Sequence, residues 1–371
     1  MQSQFDYPYL RKIYLVLFCS IAFGFLIFIG KDILVPIAFS VLLAMLLLPI
    51  NKKLERKTSR VMAIMISLTI AIIFIVIVVY FFSTQIADFV DDLPTLKRQL
   101  NKHLGTIQKY IYREFHLTRR EQSEYLEQAT SEIQDGKGGY IGKTFITITE
   151  SLFTLVLLPI YTFLILYYRD MIKKFMIDIF SDTHKPKVQE VITESRLIVQ
   201  GYMTGLLIEM AVIAAINTAG FFIVGIQYAF FLGLLAAILN LIPYIGMLIA
   251  SVFCMLVTAT TSNDISKIIW VAVVLAVVQF FDNNIIMPKI VSSRVKINAL
   301  ITIFGVLVGG AVAGVSGMFL SIPVIAILKV ICDRIDDLKP YGELMGDEIT
   351  YARRGKLLKR LRAKKKKEIT V

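Results

Sequence analysis

The chain has 371 residues, of which 56% are hydrophobic and only 18% are charged, and its mean hydropathy is +0.70. Because about a quarter of the residues of a soluble domain are charged, this composition excludes an ordinary soluble fold and predicts an all-α polytopic membrane protein. The net charge of +12 does not indicate nucleic-acid binding, since the bases flank apolar segments and no recognition motif accompanies them.

The cysteines and histidines do not form a metal-binding pattern. Cys19, Cys254 and Cys332 lie in or beside apolar stretches without ligand spacing, and the histidines fall in polar regions. We therefore expect the cysteines to act as small hydrophobic residues without disulfides, and we expect neither a metal nor a cofactor.

The first three apolar segments lie at about 13–30, 33–50 and 61–83. The first two are separated only by Gly30, Lys31 and Asp32, so we expect them to form a tight helical hairpin. Residues 1–83 would then contain three transmembrane helices. The loop after residue 51 carries five bases, namely Lys52, Lys53, Arg56, Lys57 and Arg60. The positive-inside rule places this loop in the cytoplasm, and the expected hairpin then places the N-terminus there too.

Residues 84–149 are polar and are predicted to form an extracytoplasmic helical region. Leu96, Leu100 and Leu104 recur at the spacing of an amphipathic helix, which favours a packed helical subdomain over a substrate-binding module. Residues 150–203 are predicted to hold a transmembrane helix and a cytoplasmic helical connection, with a break near Pro186.

Two apolar segments, 228–260 and 299–331, are too long for one straight span. They lie in a transport core over residues 204–332, followed by a tail over 333–371. Each has about 33 residues, which as a straight helix would be about 50 Å long, against a hydrocarbon core of about 30 Å. Each is also interrupted in its middle by proline or glycine.

Each long segment is either a kinked span or a re-entrant hairpin. The loop that contains Lys289, Arg294 and Lys296 has no acid, and the positive-inside rule keeps it and the C-terminal tail in the cytoplasm if both segments are hairpins. We therefore expect about six transmembrane helices plus two hairpins, with eight spans as the alternative. Two broken segments of matched length also suggest an inverted repeat around a midplane site, whereas glycines at four-residue spacing can equally serve close helix packing.

Ionisable and amide side chains in apolar helices are the candidate pathway residues. Gln279, Asp282 and Asn283 share one helical face, with Asn284 beside them, so a cation or a proton could bind there; pairing of Asp282 with a nearby base is the structural alternative. Glu209 and Asn217 could line a polar track, although Glu209 could instead pair with a base at the membrane surface.

The two breaks supply further candidates, because unwound backbone in transporters binds ions and substrates. A plain hairpin turn would explain the same prolines and glycines. The candidates are Asn240, Pro243, Tyr244 and Gly246 in the first break and Gly309, Gly310, Gly314 and Gly317 in the second.

The tail from Arg353 to Lys367 is strongly basic. It could bind anionic lipid headgroups, while retention on the cytoplasmic side is the simpler explanation.

Several of these motifs together resemble a known family. The run NLIPYIG at Asn240–Gly246, the run QFFDNNIIMP at Gln279–Pro288, and the glycine-rich stretch Gly305–Gly317 followed by Ser321–Pro323 are similar to the autoinducer-2 exporter-like (AI-2E) family of bacterial membrane proteins. The resemblance implies a homo-oligomeric exporter of a small molecule or an ion in the bacterial cytoplasmic membrane. Autoinducer-2 export and sodium–proton antiport are the activities that it implies.

Among function classes, these features favour a secondary transporter that moves its paired hairpins by alternating access. The sequence shows no nucleophile–base pair, no metal constellation and no nucleotide-binding loop, which argues against an enzyme or an ATP-driven pump. A scaffold or sensor that binds a partner through residues 84–149 is the alternative from another class.

Overall fold

The computed structural model describes residues 8–91, 156–243, 245–262, 264–290 and 296–346, and these ranges contain helices and turns but no strand. Tyr244, most of the predicted extracytoplasmic region, Arg294 and the basic tail lie outside them.

Eleven α-helices occur in the described ranges. They are α1 (Pro8–Leu54), α2 (Arg60–Asp91), α3 (Val156–Tyr167), α4 (Arg169–Asp178), α5 (Lys185–Val224), α6 (Ala229–Leu239), α7 (Ile245–Thr261), α8 (Ile265–Phe281), α9 (Met287–Ile290), α10 (Ala299–Arg334) and α11 (Lys339–Met345). A five-residue π-turn, Asp282–Ile286, joins α8 to α9.

Five of the described helical stretches are long and apolar enough to cross a membrane. They are Leu17–Leu54, Arg60–Asp88, Lys185–Val224, Ile265–Ile290 and Ala299–Arg334. Their surfaces are largely apolar side chains exposed on the outside of the protein, as lipid contact requires. The predicted all-α polytopic membrane fold is confirmed.

The expected hairpin around Gly30 is wrong, because α1 continues unbroken through Gly30, Lys31 and Asp32. One glycine costs a helix only about 1 kcal/mol relative to alanine, and no proline lies between residues 13 and 35. Lys31 also remains in contact with the helix surface, with its ammonium 5.0 Å from the centre of the Phe28 ring. Residues 8–91 therefore hold two helices instead of three. The prediction that the N-terminus lies in the cytoplasm depended on that hairpin and therefore loses its basis.

The chain divides into two compact units. The first comprises Met1–Leu43, Met176–Ser195 and Lys296–Val371, and the second comprises Ala44–Phe175 and Arg196–Val295.

In the second unit, the first broken segment folds back on itself as a hairpin of α6 and α7. The thiol of Cys254 on α7 approaches the carbonyl oxygen of Leu232 on α6, and Gly246 lies against the carbonyl of Leu239. Next to the open end of the hairpin, Lys267 Nζ donates to the carbonyl oxygen of Gly225 at 2.7 Å. Phe81 and Phe82 of α2 pack edge-on against Phe230 and Phe231 of α6.

In the first unit, α10 is two helices joined by a turn. Ala313 and Gly314 have non-helical backbone angles, and Gly314 has a φ of +60°, which favours glycine. The two halves then run antiparallel, since Gly309 lies against the backbone of Gly317 and Gly305 lies against Ile325. Both over-long segments are therefore folded-back hairpins within their units.

The open end of the second hairpin is tied together by Asn298. Its Oδ1 caps α10 by accepting from the N–H of Ile301 at 2.9 Å, and its Nδ2 donates to the carbonyl oxygens of Leu344 and Gly346. An equivalent cap begins α8, where Asp264 accepts from the N–H and the hydroxyl of Ser266, and these hydrogen bonds lower the pKa of the Asp264 carboxyl.

Pro186 marks a helix boundary, as predicted from the sequence. It lies in the first turn of α5, where its missing N–H and fixed φ are tolerated, and a short non-helical stretch separates α5 from the end of α4.

Adding a methyl group at Gly246 tests the first hairpin. A Cβ there would lie 1.7 Å from the carbonyl oxygen of Leu239, so Gly246→Ala forces the two helices apart. We expect a loss on the order of 1–3 kcal/mol, seen as a lower Tm in detergent. Gly24→Ala is the matched control, because a Cβ there meets nothing within 4 Å. Equal Tm values for both variants would contradict the close contact.

Candidate functional site

Two buried carboxyl groups meet in the second unit. Glu209 lies on α5 and Asp282 opens the π-turn after α8; the residues are 7% and 2% exposed. Their carboxyl groups lie within hydrogen-bonding reach of each other. Glu209 Oε2 and Asp282 Oδ1 are buried and find no donor among the described residues. Since two adjacent buried carboxylates repel each other strongly, a proton or a cation must lie between them.

The first hairpin contacts this pair through Asn240. Asn240 is the C-cap residue of α6, and its Nδ2 donates to Asp282 Oδ2 at 3.1 Å. The break at Asn240–Pro243 thus places an amide donor on one of the two acids. Three separate parts of the chain, α5, the hairpin break and the π-turn, therefore meet at the carboxyl pair.

A small cavity lies among the same elements. It has a volume of about 20 Å³, and its polar lining is Asn217, Asn240 and Gln279. Asn217 is only 2% exposed, and its Oδ1 has no donor among the described residues. A space of this size holds one water molecule or one ion of similar size.

A larger groove lies between α5 and α9. Its volume is about 480 Å³, which is within the range of small-molecule sites. Its lining residues are Leu197, Gln200, Gly201, Thr204, Gly205, Ile208, Lys289 and Ile290. Gly205 precedes Glu209 by about one helical turn, so the groove begins close to the carboxyl pair along α5.

The structure separates the predicted polar cluster after Gln279. Asp282 points inward, whereas Asn283 and Asn284 are exposed. Asn283 Oδ1 accepts from Gln279 Nε2 at 3.0 Å, and Asn284 Nδ2 donates to the carbonyl oxygen of Phe280 at 2.8 Å. The π-turn changes the helical register at this point, so a regular helical face does not predict which of these side chains is buried.

Close backbone packing occurs at three of the break glycines, Gly246, Gly309 and Gly317, whereas Gly314 lies in the turn with a φ of +60°. Gly246 is buried against Leu239, and Gly309 and Gly310 lie against Gly317 and Met318 respectively. Gly309, Gly310, Gly314 and Gly317 belong to the first unit and Glu209 and Asp282 to the second. Pro243 lies in the turn that follows Asn240.

Sequence reasoning missed two residues near the pair. Tyr202 is buried on α5 and lies within electrostatic reach of Glu209. Thr218 is adjacent to Asn217, and its hydroxyl lies directly against Gly233 of the hairpin. One signal in the sequence could have identified Tyr202. It precedes Glu209 by seven residues, and Asn217 follows Glu209 by eight, so the three lie on one helix face.

Long apolar helices, two folded-back hairpins and a buried carboxyl pair define a polytopic membrane protein of the transporter class. The chain belongs to the AI-2E transporter family. The model of that family, described as AI-2E family transporter, matches residues 14–337.

Two related proteins match over most of the chain, and a third matches over about a third of it. A Haemophilus influenzae protein is 26% identical over 86% of this chain and 91% of its own length, and YueF of Bacillus subtilis is 22% identical over 82% and 84%. YrrI of Bacillus subtilis is 33% identical, over 35% of this chain and 36% of its own length. The words "Putative transport protein" stand in all three names.

Two substitutions at Glu209 test the contact with Asp282. Glu209→Gln supplies a permanent donor in place of a shared proton, so we expect the Tm in detergent to stay at or above that of the wild type. Glu209→Ala leaves a buried carboxyl beside a hole and should cost about 1–3 kcal/mol. If the glutamine variant loses as much stability as the alanine variant, the two carboxyl groups are not in contact.

Proposed function

We propose that this protein is a secondary transporter in which the Glu209–Asp282 pair exchanges a proton during each cycle. The observation that carries the proposal is the contact between two buried carboxyl groups. Such a pair is stable with one proton or one monovalent cation between its members, and either can be released when water gains access. The pair thus supplies a site whose occupancy changes without any covalent chemistry.

Asn240 is the proposed link between this site and movement. Its amide donates to Asp282 from the break of the first hairpin, so the charge on Asp282 alters how strongly the hairpin is held. We propose that loss of the shared ion strengthens this hydrogen bond, and that its return allows the hairpin to move. Movement of the hairpins by alternating access, and their re-entrant placement in the bilayer, are parts of the same proposal.

The proposed cargo is a small polar solute bound in the groove beside Gly205 and Lys289. The groove volume of about 480 Å³ suits a molecule of that size. A solute similar to autoinducer-2 fits the family membership, and export from the bacterial cytoplasm is the direction that we propose.

Sodium–proton antiport is the second candidate function. The cavity of about 20 Å³ favours it, because Asn217, Asn240 and Gln279 line a space that excludes organic solutes. Amide and carboxyl oxygens are also suitable ligands for a hard cation such as Na⁺.

Proton flux in proteoliposomes tests the proposal. Purified protein is reconstituted with a pH-sensitive dye inside, and a sodium gradient or a panel of small polar solutes is applied in separate arms. We expect the wild-type protein to move protons in one arm, and Asp282→Asn to reduce that flux to the level of protein-free liposomes, because an amide cannot exchange the proton.

Asn284→Ala is the matched control, since Asn284 lies in the same π-turn but is exposed, and its side chain donates to the backbone of the preceding helix. It should retain the wild-type flux. Full flux in Asp282→Asn would remove the pair from the mechanism. The absence of flux in every arm would favour the scaffold or sensor alternative.

Cysteine labelling tests whether the first hairpin is re-entrant. With Cys19, Cys254 and Cys332 replaced, single cysteines are placed at Gln227 and Ser262, on either side of the hairpin. We expect a membrane-impermeant maleimide to label both from the same face of the membrane, because Lys267 Nζ contacts the carbonyl of Gly225. Labelling from opposite faces would show that the segment crosses the membrane.

A further inference from the structure

A cluster of charged side chains lies in the second unit where the α1–α2 loop contacts the junction of α3 and α4. Arg169 and Glu55 pair at 2.6 Å, and Arg60 and Asp170 pair at 2.9 Å. Arg60 Nη2 also donates to the carbonyl oxygen of Leu166 at 3.1 Å. We call Asn51, Glu55, Arg60, Arg169 and Asp170 the corner cluster.

The corner cluster contains buried donors without partners among the described residues. These donors are Arg60 Nε, Arg169 Nη1 and the amide nitrogen of Asn51, a residue that is 0% exposed. Two acceptors, Asn51 Oδ1 and Glu55 Oε1, are also unpaired. Each buried unpaired polar group costs about 1–3 kcal/mol, so a bound group that supplies both acceptors and donors would stabilise the cluster.

The surrounding charge favours an anion. Lys52, Lys53, Arg56 and Lys57 follow Asn51 directly, and all four are exposed. Together with Arg60 and Arg169 they make six bases, against two acids in the corner cluster, Glu55 and Asp170. The unpaired guanidinium N–H groups suit phosphate oxygens, which accept charge-assisted hydrogen bonds well.

The position of the corner cluster favours a lipid as the source of that phosphate. It lies at the polar ends of two helices of membrane-spanning length, α1 and α2. Tyr167 and Tyr168, of the kind enriched at membrane interfaces, adjoin it, and the Arg60 guanidinium lies 5.8 Å from the centre of the Tyr167 ring. Immediately after Arg169, the apolar residues Met171 and Phe175 of α4 are 62% and 65% exposed.

We propose that the corner cluster binds the headgroup of an anionic phospholipid whose polar end carries hydroxyl groups, such as phosphatidylglycerol. The phosphate accepts from the guanidinium groups of Arg60 and Arg169, whose side chains are 34% and 22% exposed. The headgroup hydroxyls donate to the Glu55 carboxylate, which is 18% exposed. The acyl chains run along the exposed apolar face of α4 that includes Met171 and Phe175, as expected for an interfacial amphipathic helix.

This site is independent of the carboxyl pair, so its test is a lipid-binding experiment. Full-length protein is placed in nanodiscs of phosphatidylcholine, with or without phosphatidylglycerol, and its Tm is measured. Retained lipid is then identified by mass spectrometry after extraction into detergent. We expect phosphatidylglycerol to raise the Tm of the wild type and to be retained selectively over phosphatidylcholine.

Three variants separate the site from general surface charge. Arg60→Gln and Arg169→Gln should lower retention of phosphatidylglycerol by about tenfold, the effect expected for one lost charge-assisted hydrogen bond. Lys53→Gln removes the same charge from an exposed position of the same loop, and should change retention by less than about twofold. The Tm of each variant in pure phosphatidylcholine reports whether it is folded.

Several outcomes would overturn the proposal. If Lys53→Gln and Arg60→Gln lose retention of phosphatidylglycerol equally, the lipid is held by the general charge of the loop and not by the corner cluster. If inorganic phosphate in phosphatidylcholine nanodiscs raises the Tm as much as phosphatidylglycerol, the ligand is a free anion and the lipid assignment fails. Should Arg169→Gln be unstable in pure phosphatidylcholine, the double variant Glu55→Gln/Arg169→Gln removes both charges of the pair, and its retention must still fall.

Discussion

In a bilayer, a chain can leave no backbone N–H or C=O without a partner, and the fold of this protein follows from that constraint. Regular helices satisfy it along most of the chain. The two broken segments satisfy it by folding back, because each turn is enclosed by close contact between its own two helices. Gly246 against Leu239 and Gly309 against Gly317 are the points where that closeness excludes any side chain.

The hairpins therefore do more than shorten two over-long segments. The break of the first one leaves Asn240 at the end of α6, where its amide contacts Asp282. The hydrogen bond that Asn240 donates to Asp282 offsets part of the cost of burying Glu209 and Asp282 together.

The corner cluster shows the same principle at the edge of the membrane. There Arg60 pairs with Asp170, and Arg169 pairs with Glu55 and more distantly with Asp170. Each arginine still retains a buried N–H group that no described residue satisfies. A protein embedded in lipid has headgroups at hand to complete such a cluster. The exposed apolar residues of α4 are also consistent with lipid in that place, since they have no protein cover among the described residues.

The sequence by itself determined the membrane fold, the apolar segments and the positions of the breaks, because hydropathy, length and proline or glycine are local properties. It also singled out Glu209 and Asp282 as candidates, since polar residues in apolar helices stand out, and Asn240 because it begins the first break. It wrongly predicted a hairpin at Gly30, because one glycine and two charged residues do not end a helix that is otherwise continuous, and α1 continues past them. Only the tertiary structure decided that Glu209 and Asp282 meet while Asn283 and Asn284 face outward. That outcome depends on a π-turn and on contacts between helices distant in the chain, and neither leaves a periodic pattern in the sequence.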